Sequence, residues 1–157
     1  MDKDEKKIED RLGDAIRLLT NRNAKEQYPV IFMALLEAYA RNMTGVVPMI
    51  FRNSKPCYGT FRIDAARYAY RVYTISEKRT PADGEMEAFI PWRSIIDYAL
   101  KDEEADGIII NPPPFMIFNP AVAYIPKDNL QVVVREAERI LNQTPGDARD
   151  GTVEGRE

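Results

Sequence analysis

The stretch Asp106-Gly107-Ile108-Ile109-Ile110-Asn111-Pro112-Pro113-Pro114 decides the fold. Three consecutive isoleucines without polar alternation read as a strand covered on both faces, which is the pattern of a central strand. The Asn-Pro-Pro-Pro run stops it, because proline gives no N–H to a sheet ladder. The acidic run Asp102-Glu103-Glu104-Ala105-Asp106 just before the strand is expected to be a solvated connector.

Working outward, Pro91 opens a helix to about Lys101, with Trp92, Ile95, Ile96, Ala99 and Leu100 at i, i+3, i+4, i+7, i+8. Upstream, Tyr68–Ile75 is rich in aromatic and β-branched residues, and Glu85–Ile90 alternates; both read as strands. With Pro81 and Asp83-Gly84 between them, the two are expected to form a hairpin. Val46-Val47-Pro48-Met49-Ile50 is a short apolar run whose proline argues for an edge strand or a strand end. Residues 52–60 carry turn formers and are expected to be a loop.

Two helices precede these strands. One spans about residues 4–20, with Ile8, Leu12, Ala15, Ile16 and Leu19 on a single face. The second spans about Lys25–Arg41, with Pro29 expected in its first turn, where a missing N–H costs nothing. Downstream of the central strand, 115–118 and 121–125 read as short strand pieces. Asp128 or Asn129 is expected to cap a last helix with Leu130, Val133, Val134, Ala137, Ile140 and Leu141 inward. The expectation is a single α+β domain: a mixed β-sheet of four to five strands, helices packed on it, and two helices at the N-terminus. Residues 1–23 form the N-terminal helix, 24–141 the α+β domain, and 142–157, with Pro145 and scattered charge, a disordered tail.

Composition narrows the chemistry. With 45% hydrophobic and 30% charged residues the chain can build an ordinary core. Its net charge of −3, from 22 basic and 25 acidic residues, gives no global attraction to nucleic acid or anionic lipid. The absence of histidine removes histidine-activated nucleophiles, histidine general bases and histidine metal sites. The single cysteine, Cys57, removes thiolate zinc sites and any internal disulfide, which suits a reducing compartment. No apolar run approaches the ~20 residues of a membrane span. No two acids are paired at a defined separation, so a carboxylate-based enzyme is the last of the alternatives. The expectation is a cytoplasmic protein that is not an enzyme, with no catalytic residues, no metal site, no cofactor and no membrane association.

The chain resembles the N-terminal domain of the SseB family, the enhanced serine sensitivity proteins, over about residues 24–141. The matching features are the helix Leu35–Tyr39 leading into Val46-Val47-Pro48, and the strand and helix of Glu87–Leu100. The acidic connector before Asp106-Gly107-Ile108-Ile109-Ile110-Asn111-Pro112 matches too, as does the opening of the last helix at Ile125-Pro126-Lys127-Asp128. It departs from the family in Tyr73-Thr74-Ile75-Ser76, which only approximates a Phe-Thr-Ser strand end, and in an extra loop over 51–66; the second, C-terminal domain of the family's larger members is not expected here. The resemblance implies a bacterial cytoplasmic protein of unassigned biochemical role and supplies no catalytic residue.

Candidate sites each have two readings. Asn111, Pro112 and Pro114 form either a recognition loop beyond the end of a central strand or, more simply, the stop of that strand. Trp92 belongs to the core or, if partly exposed, anchors an interface. The arginines Arg62, Arg67 and Arg71 lie among Phe61, Tyr68, Tyr70 and Tyr73, a mixture that can bind single-stranded nucleic acid. Alternation, however, separates Tyr68 and Tyr70 from Arg67 and Arg71, making one face core and the other solvent, with Glu85 and Glu87 able to pair with the arginines. Nucleic acid is therefore not expected. Two functions stay open. One is a non-enzymatic binding or regulatory module that engages a protein partner or itself. The other is a protein that binds a small molecule, an amino acid or metabolite, around Asn111, Pro114, Asn119 and Trp92.

Overall fold

The computed structural model describes residues 1–75, 84–112 and 122–143. Its elements run α1 (Lys3–Leu18), α2 (Ala24–Ala40), β1 (Thr44–Arg52), β2 (Lys55–Tyr58), β3 (Thr60–Arg62), β4 (Tyr68–Val72), β5 (Met86–Pro91), α3 (Trp92–Lys101), β6 (Ala105–Ile110), β7 (Ala123–Pro126) and α4 (Lys127–Gln143). This is a mixed α+β fold with two N-terminal helices. The expected pieces at 115–118 lie outside the described residues, as do Pro114 and Asn119; of the tail expected over 142–157, residues 142 and 143 instead belong to the last helix and the rest lies outside the described residues.

The helices stand close to where their periodicity puts them, and their ends have chemical causes. At the start of α1, Asp2 and Glu5 form a reciprocal capping box: the Glu5 amide donates to Asp2 Oδ1 (2.8 Å) and the Asp2 amide to Glu5 Oε1 (3.2 Å). Asn42 takes φ 56° just past α2, while the Met43 amide reaches back to the Ala38 carbonyl (2.9 Å) and the Asn42 amide to Tyr39 (3.1 Å). That is a Schellman closure with asparagine in the left-handed position. Pro29 lies in the second turn of α2 and not the first, because the helix begins at Ala24. The helix therefore forgoes one backbone hydrogen bond there. The last helix starts at Lys127, so Asp128 belongs to its first turn, where a carboxylate favours the N-terminal dipole. Its inward face ends at Ala137: Ile140 and Leu141, one turn further on, are exposed.

The strands divide into two sheets. One has order β2-β1-β5, antiparallel throughout; the other has order β3-β4-β6-β7, with β4 and β6 parallel. A bridge between Val46 and Tyr73, with reciprocal amide–carbonyl bonds of 2.9 and 2.7 Å, joins the sheets. β6 is central, flanked by β4 and β7, and Ile108, Ile109 and Ile110 are at most 1% exposed. Ile108 and Ile110 join the main core with Leu35, Trp92, Ile95, Ile96, Leu130 and Val133; Ile109 is buried on the other face. α1 packs on α2, and α3 and α4 pack against β6.

Three expectations about the strands are corrected. The segments 68–75 and 85–90 do not form a hairpin: β4 sits inside one sheet between β3 and β6, and β5 pairs with β1 in the other. Ala69 and Val72, on opposite faces of β4, are both fully buried, which an interior strand satisfies and a two-stranded hairpin does not. Residues 52–60 are not a loop. Asn53 and Ser54 take φ 52° and 65°, as a type I′ turn requires, and fold β1 onto β2 with Arg52 opposite Lys55. Pro48 lies within the middle strand of its sheet, not at an edge. Its carbonyl, and so its missing N–H, faces the bend at Gly59 (Gly59 amide to Pro48 carbonyl, 2.7 Å). That point falls between the bridge at Val46 and the β2 ladder that begins at Met49, where no strand needs the donor.

Candidate functional site

The β1–β2 hairpin, β3 and β4 surround a cleft of about 500 Å³. That volume is in the range of small-molecule sites. Tyr98 of α3 and Glu85, just ahead of β5, complete its wall. Its position follows from the two-sheet arrangement, because β1 leaves β4 after the Val46–Tyr73 bridge and pairs with β2 instead.

Three guanidinium groups line the cleft: Arg52 at the hairpin, Arg62 on β3 and Arg71 on β4. Among the described residues, Glu85 is the one carboxylate in the lining. Arg71 Nη2 donates to Glu85 Oε2 at 2.5 Å, and the two side chains are 23% and 16% exposed. The expected pairing of Arg67 and Arg71 with Glu85 and Glu87 holds for Arg71 and Glu85. Arg67 instead binds Asp64 (2.6 Å) and Asp106 (3.1 Å) and stays outside the cleft. The face of β4 opposite the tyrosines is therefore not open to solvent at Arg71. Its guanidinium reaches across Gly59, where a Cβ would stand only 2.6 Å from Nη2. Arg71 Nε is buried with no hydrogen-bond partner among the described residues, and an unpaired buried donor costs roughly 1–3 kcal/mol. Arg62 donates to the Ala65 carbonyl (3.1 Å) and Arg52 forms no ion pair with a described residue, so both carry charge into the cleft.

The aromatic wall is a chain of edge-to-face contacts. Tyr58–Tyr98 centroids are 4.8 Å apart, Tyr70–Tyr98 5.2 Å and Tyr68–Tyr70 5.9 Å. Each such pair adds roughly 0.5–1.5 kcal/mol beyond burial and fixes the ring planes. Tyr68 and Tyr70 direct their hydroxyls to one acceptor, Asp102 Oδ2, at 2.8 and 2.5 Å. The Glu104 amide donates to Oδ1 (3.0 Å), and Lys127 Nζ donates to the Asp102 carbonyl. Asp102 is therefore the hub that joins α3, β4 and α4, and not a solvated connector residue. Burial raises its pKa, but the bonds from Tyr70, Tyr68 and the Glu104 amide outweigh that and hold it below the ordinary carboxylate range. Burial, then the Asp102 hydrogen bond and charge, pushes Tyr68 up to about 12 and Tyr70 higher still. These phenols are fixed neutral donors, unsuited to act as general bases near neutral pH.

The site residues expected from the sequence fall elsewhere. Asn111 takes φ 51° at the end of β6; its Oδ1 accepts from the Thr74 amide (2.9 Å) and its Nδ2 donates to Thr74 Oγ1 (3.1 Å). Pro112 is buried. Trp92 is fully buried in the main core and lies beside Gly45, in the core reading of that residue. None of the three lines the cleft.

No known family model, curated protein or solved structure matches this chain.

Of the aromatic–basic stretch, Arg62, Arg71, Tyr68 and Tyr70 do meet at the cleft. Arg52 and Tyr98 join them from outside that stretch, and Asp102 holds the two tyrosine hydroxyls. Tyr98 has a legible signal: it is an aromatic residue off the buried face of α3, and it is 45% exposed.

Proposed function

We propose that this chain is a non-enzymatic binding module whose cleft holds a small anionic molecule, such as an amino acid or metabolite bearing a carboxylate or phosphate. The observation that carries the reading is the charge of the cleft. Among the described residues of its lining, three arginines face one glutamate, in a protein whose net charge is −3. Guanidinium groups bind planar oxyanions through paired N–H donors. The tyrosine wall adds surface for an apolar or aromatic part of the ligand. The resemblance to SseB proteins and the scarcity of cysteine support a bacterial, cytoplasmic regulatory setting. Among the described residues no helix is long and apolar enough to cross a membrane.

Cys57 is the only cysteine and lines the cleft, so it serves as a reporter. The test is a screen of amino acids, carboxylates and phosphate esters, read by thermal shift and by slower labelling of Cys57 with a thiol reagent. A true ligand at 100 times its dissociation constant adds about 2.7 kcal/mol of stability. It protects Cys57, and it loses both effects in Arg71→Met. If no compound protects Cys57, or if Arg71→Met binds as the wild type does, the reading fails.

A second reading, engagement of a protein partner or of a second copy, is favoured by one patch. Phe51 and Met86 are 55% and 54% exposed. They share a face of the sheet, because Met86 pairs with Met49, two residues from Phe51. Sedimentation of the purified protein across a concentration series, alone and as Phe51→Ser, tests self-association.

A further inference from the structure

We propose that Glu85 is an internal occupant of the cleft's anion position, and that an incoming carboxylate or phosphate must displace it from Arg71. The inference rests on the reading that the cleft binds small anions and assigns the regulation of that site.

Among the described residues, Arg71 is the cleft arginine with an ion pair, and its partner comes from a different sheet: Arg71 lies on β4, Glu85 immediately before β5. The 2.5 Å contact uses one carboxylate oxygen and one terminal nitrogen. Arg71 Nε makes no hydrogen bond among the described residues. The Nε–Nη2 edge of the guanidinium is thus half used, although carboxylates and phosphates can fill such an edge with two parallel bonds. Gly59 supplies the passage for the guanidinium, since any side chain there would meet Nη2. Glu85 follows Gly84, which holds φ 82°, and a Cβ built there would meet no atom within 4 Å. The pair is a closed state of the site, and a ligand with two adjacent oxygens competes with it.

Competition of this kind lowers apparent affinity by the fraction of molecules in which Arg71 is free. If the pair is closed about nine-tenths of the time, removing the Glu85 charge tightens binding roughly tenfold. The probes are phenyl phosphate and benzoate, which carry the two oxyanion types on the same ring. Binding to the full chain is measured by calorimetry and by protection of Cys57. Glu85→Gln keeps the size of the side chain and removes its charge; Glu85→Asp draws the carboxylate back by one methylene. Thermal melts of both establish that they are folded.

The expected result is a tenfold gain for Glu85→Gln and a smaller gain for Glu85→Asp, with whichever probe the wild type prefers. Equal or weaker binding by both folded variants, with the wild type binding, overturns the role of Glu85 and leaves the anion site standing. Absence of binding of either probe to wild type and Glu85→Gln alike overturns both. If only Glu85→Asp folds, unchanged affinity in that variant counts against the proposal in the same way.

Discussion

Asn111 holds Thr74 twice, once at its backbone amide and once at its hydroxyl, and so ties the end of β6 to the residues that follow β4. The Asn111 amide adds a third link, to the Val72 carbonyl at 2.8 Å. Two parallel strands are locked together at their carboxyl ends by one side chain that spends an acceptor and a donor on the same residue.

Asn111→Ala is expected to cost about 2–4 kcal/mol. Thr74 is fully buried, so its amide and hydroxyl lose their partners where water cannot replace them. Alanine also tolerates φ 51° worse than asparagine does, by about 1 kcal/mol. Asn111→Gly keeps the first penalty and relieves the second, so it should fall between alanine and wild type. Urea unfolding of the three proteins checks the order. Anion binding at the cleft should be unaffected in both. A variant of normal stability with lost binding would restore Asn111 as a recognition residue.

Gly107→Ala should be among the most damaging single changes in the chain. A Cβ there would overlap the Ile125 carbonyl and stand 2.9 Å from Pro126 Cα, both backbone atoms of the paired strand β7. Neither can turn aside as a side-chain tip does. The loss is expected to be about 3 kcal/mol or more, read from denaturant midpoints or from failure to accumulate soluble protein. Wild-type stability would show that β6 and β7 are not this close.

The central strand is legible in the sequence because three isoleucines in a row have only one comfortable environment. The four helices are legible because their periodicity is local. The partners of β4 and β5 are not, since adjacency along the chain favours a hairpin and only long-range burial of Ala69 and Val72 argues otherwise. Asn53-Ser54 lacks the glycine that usually advertises a two-residue turn, so the β1–β2 hairpin reads as a loop. At the site, the mixture of arginines and tyrosines is visible, but alternation alone assigns them to separate faces. Nothing in the spacing reveals that Gly59 lets Arg71 cross, or that Asp102, and not its acidic neighbours, receives two tyrosine hydroxyls.

Stability should fall at both ends of the pH scale through the Asp102 hub. The folded carboxyl is held below its ordinary range, so its contribution is present above the unfolded value near 4 and is lost as pH falls through the lower folded value. Tyr68 and Tyr70 shift the other way. Their contribution is complete below pH about 10 and is lost as pH rises toward about 12, the folded value of Tyr68. Asp102→Asn should flatten the acid limb and cost about 1.5–3 kcal/mol near neutrality, the worth of hydrogen bonds to a charged acceptor. Tyr68→Phe should flatten part of the alkaline limb. Chemical denaturation from acid to alkali, with tyrosinate absorbance followed in parallel, measures both. Unchanged limbs in both variants would remove the hub from the account.

Gly59→Ala separates the shape of the cleft from the stability of the fold. Its Cβ would stand 2.6 Å from Arg71 Nη2 and 2.7 Å from Pro48 Cγ. The guanidinium is the tip of a long side chain and can swing away; the proline ring, buried in β1, can yield only slightly. The expected cost in stability is therefore modest, about 1–2 kcal/mol. The expected effect on binding is larger, because the displaced guanidinium no longer faces the cleft, and affinity for the anion should fall to near that of Arg71→Met. Pairing the two changes decides the cause. If Gly59 acts through Arg71, the double variant Gly59→Ala/Arg71→Met binds no worse than Arg71→Met alone, and the two losses are far from additive. Full additivity would mean that alanine at 59 disturbs the cleft by another route, and that the passage of Arg71 across Gly59 is not what builds the anion position.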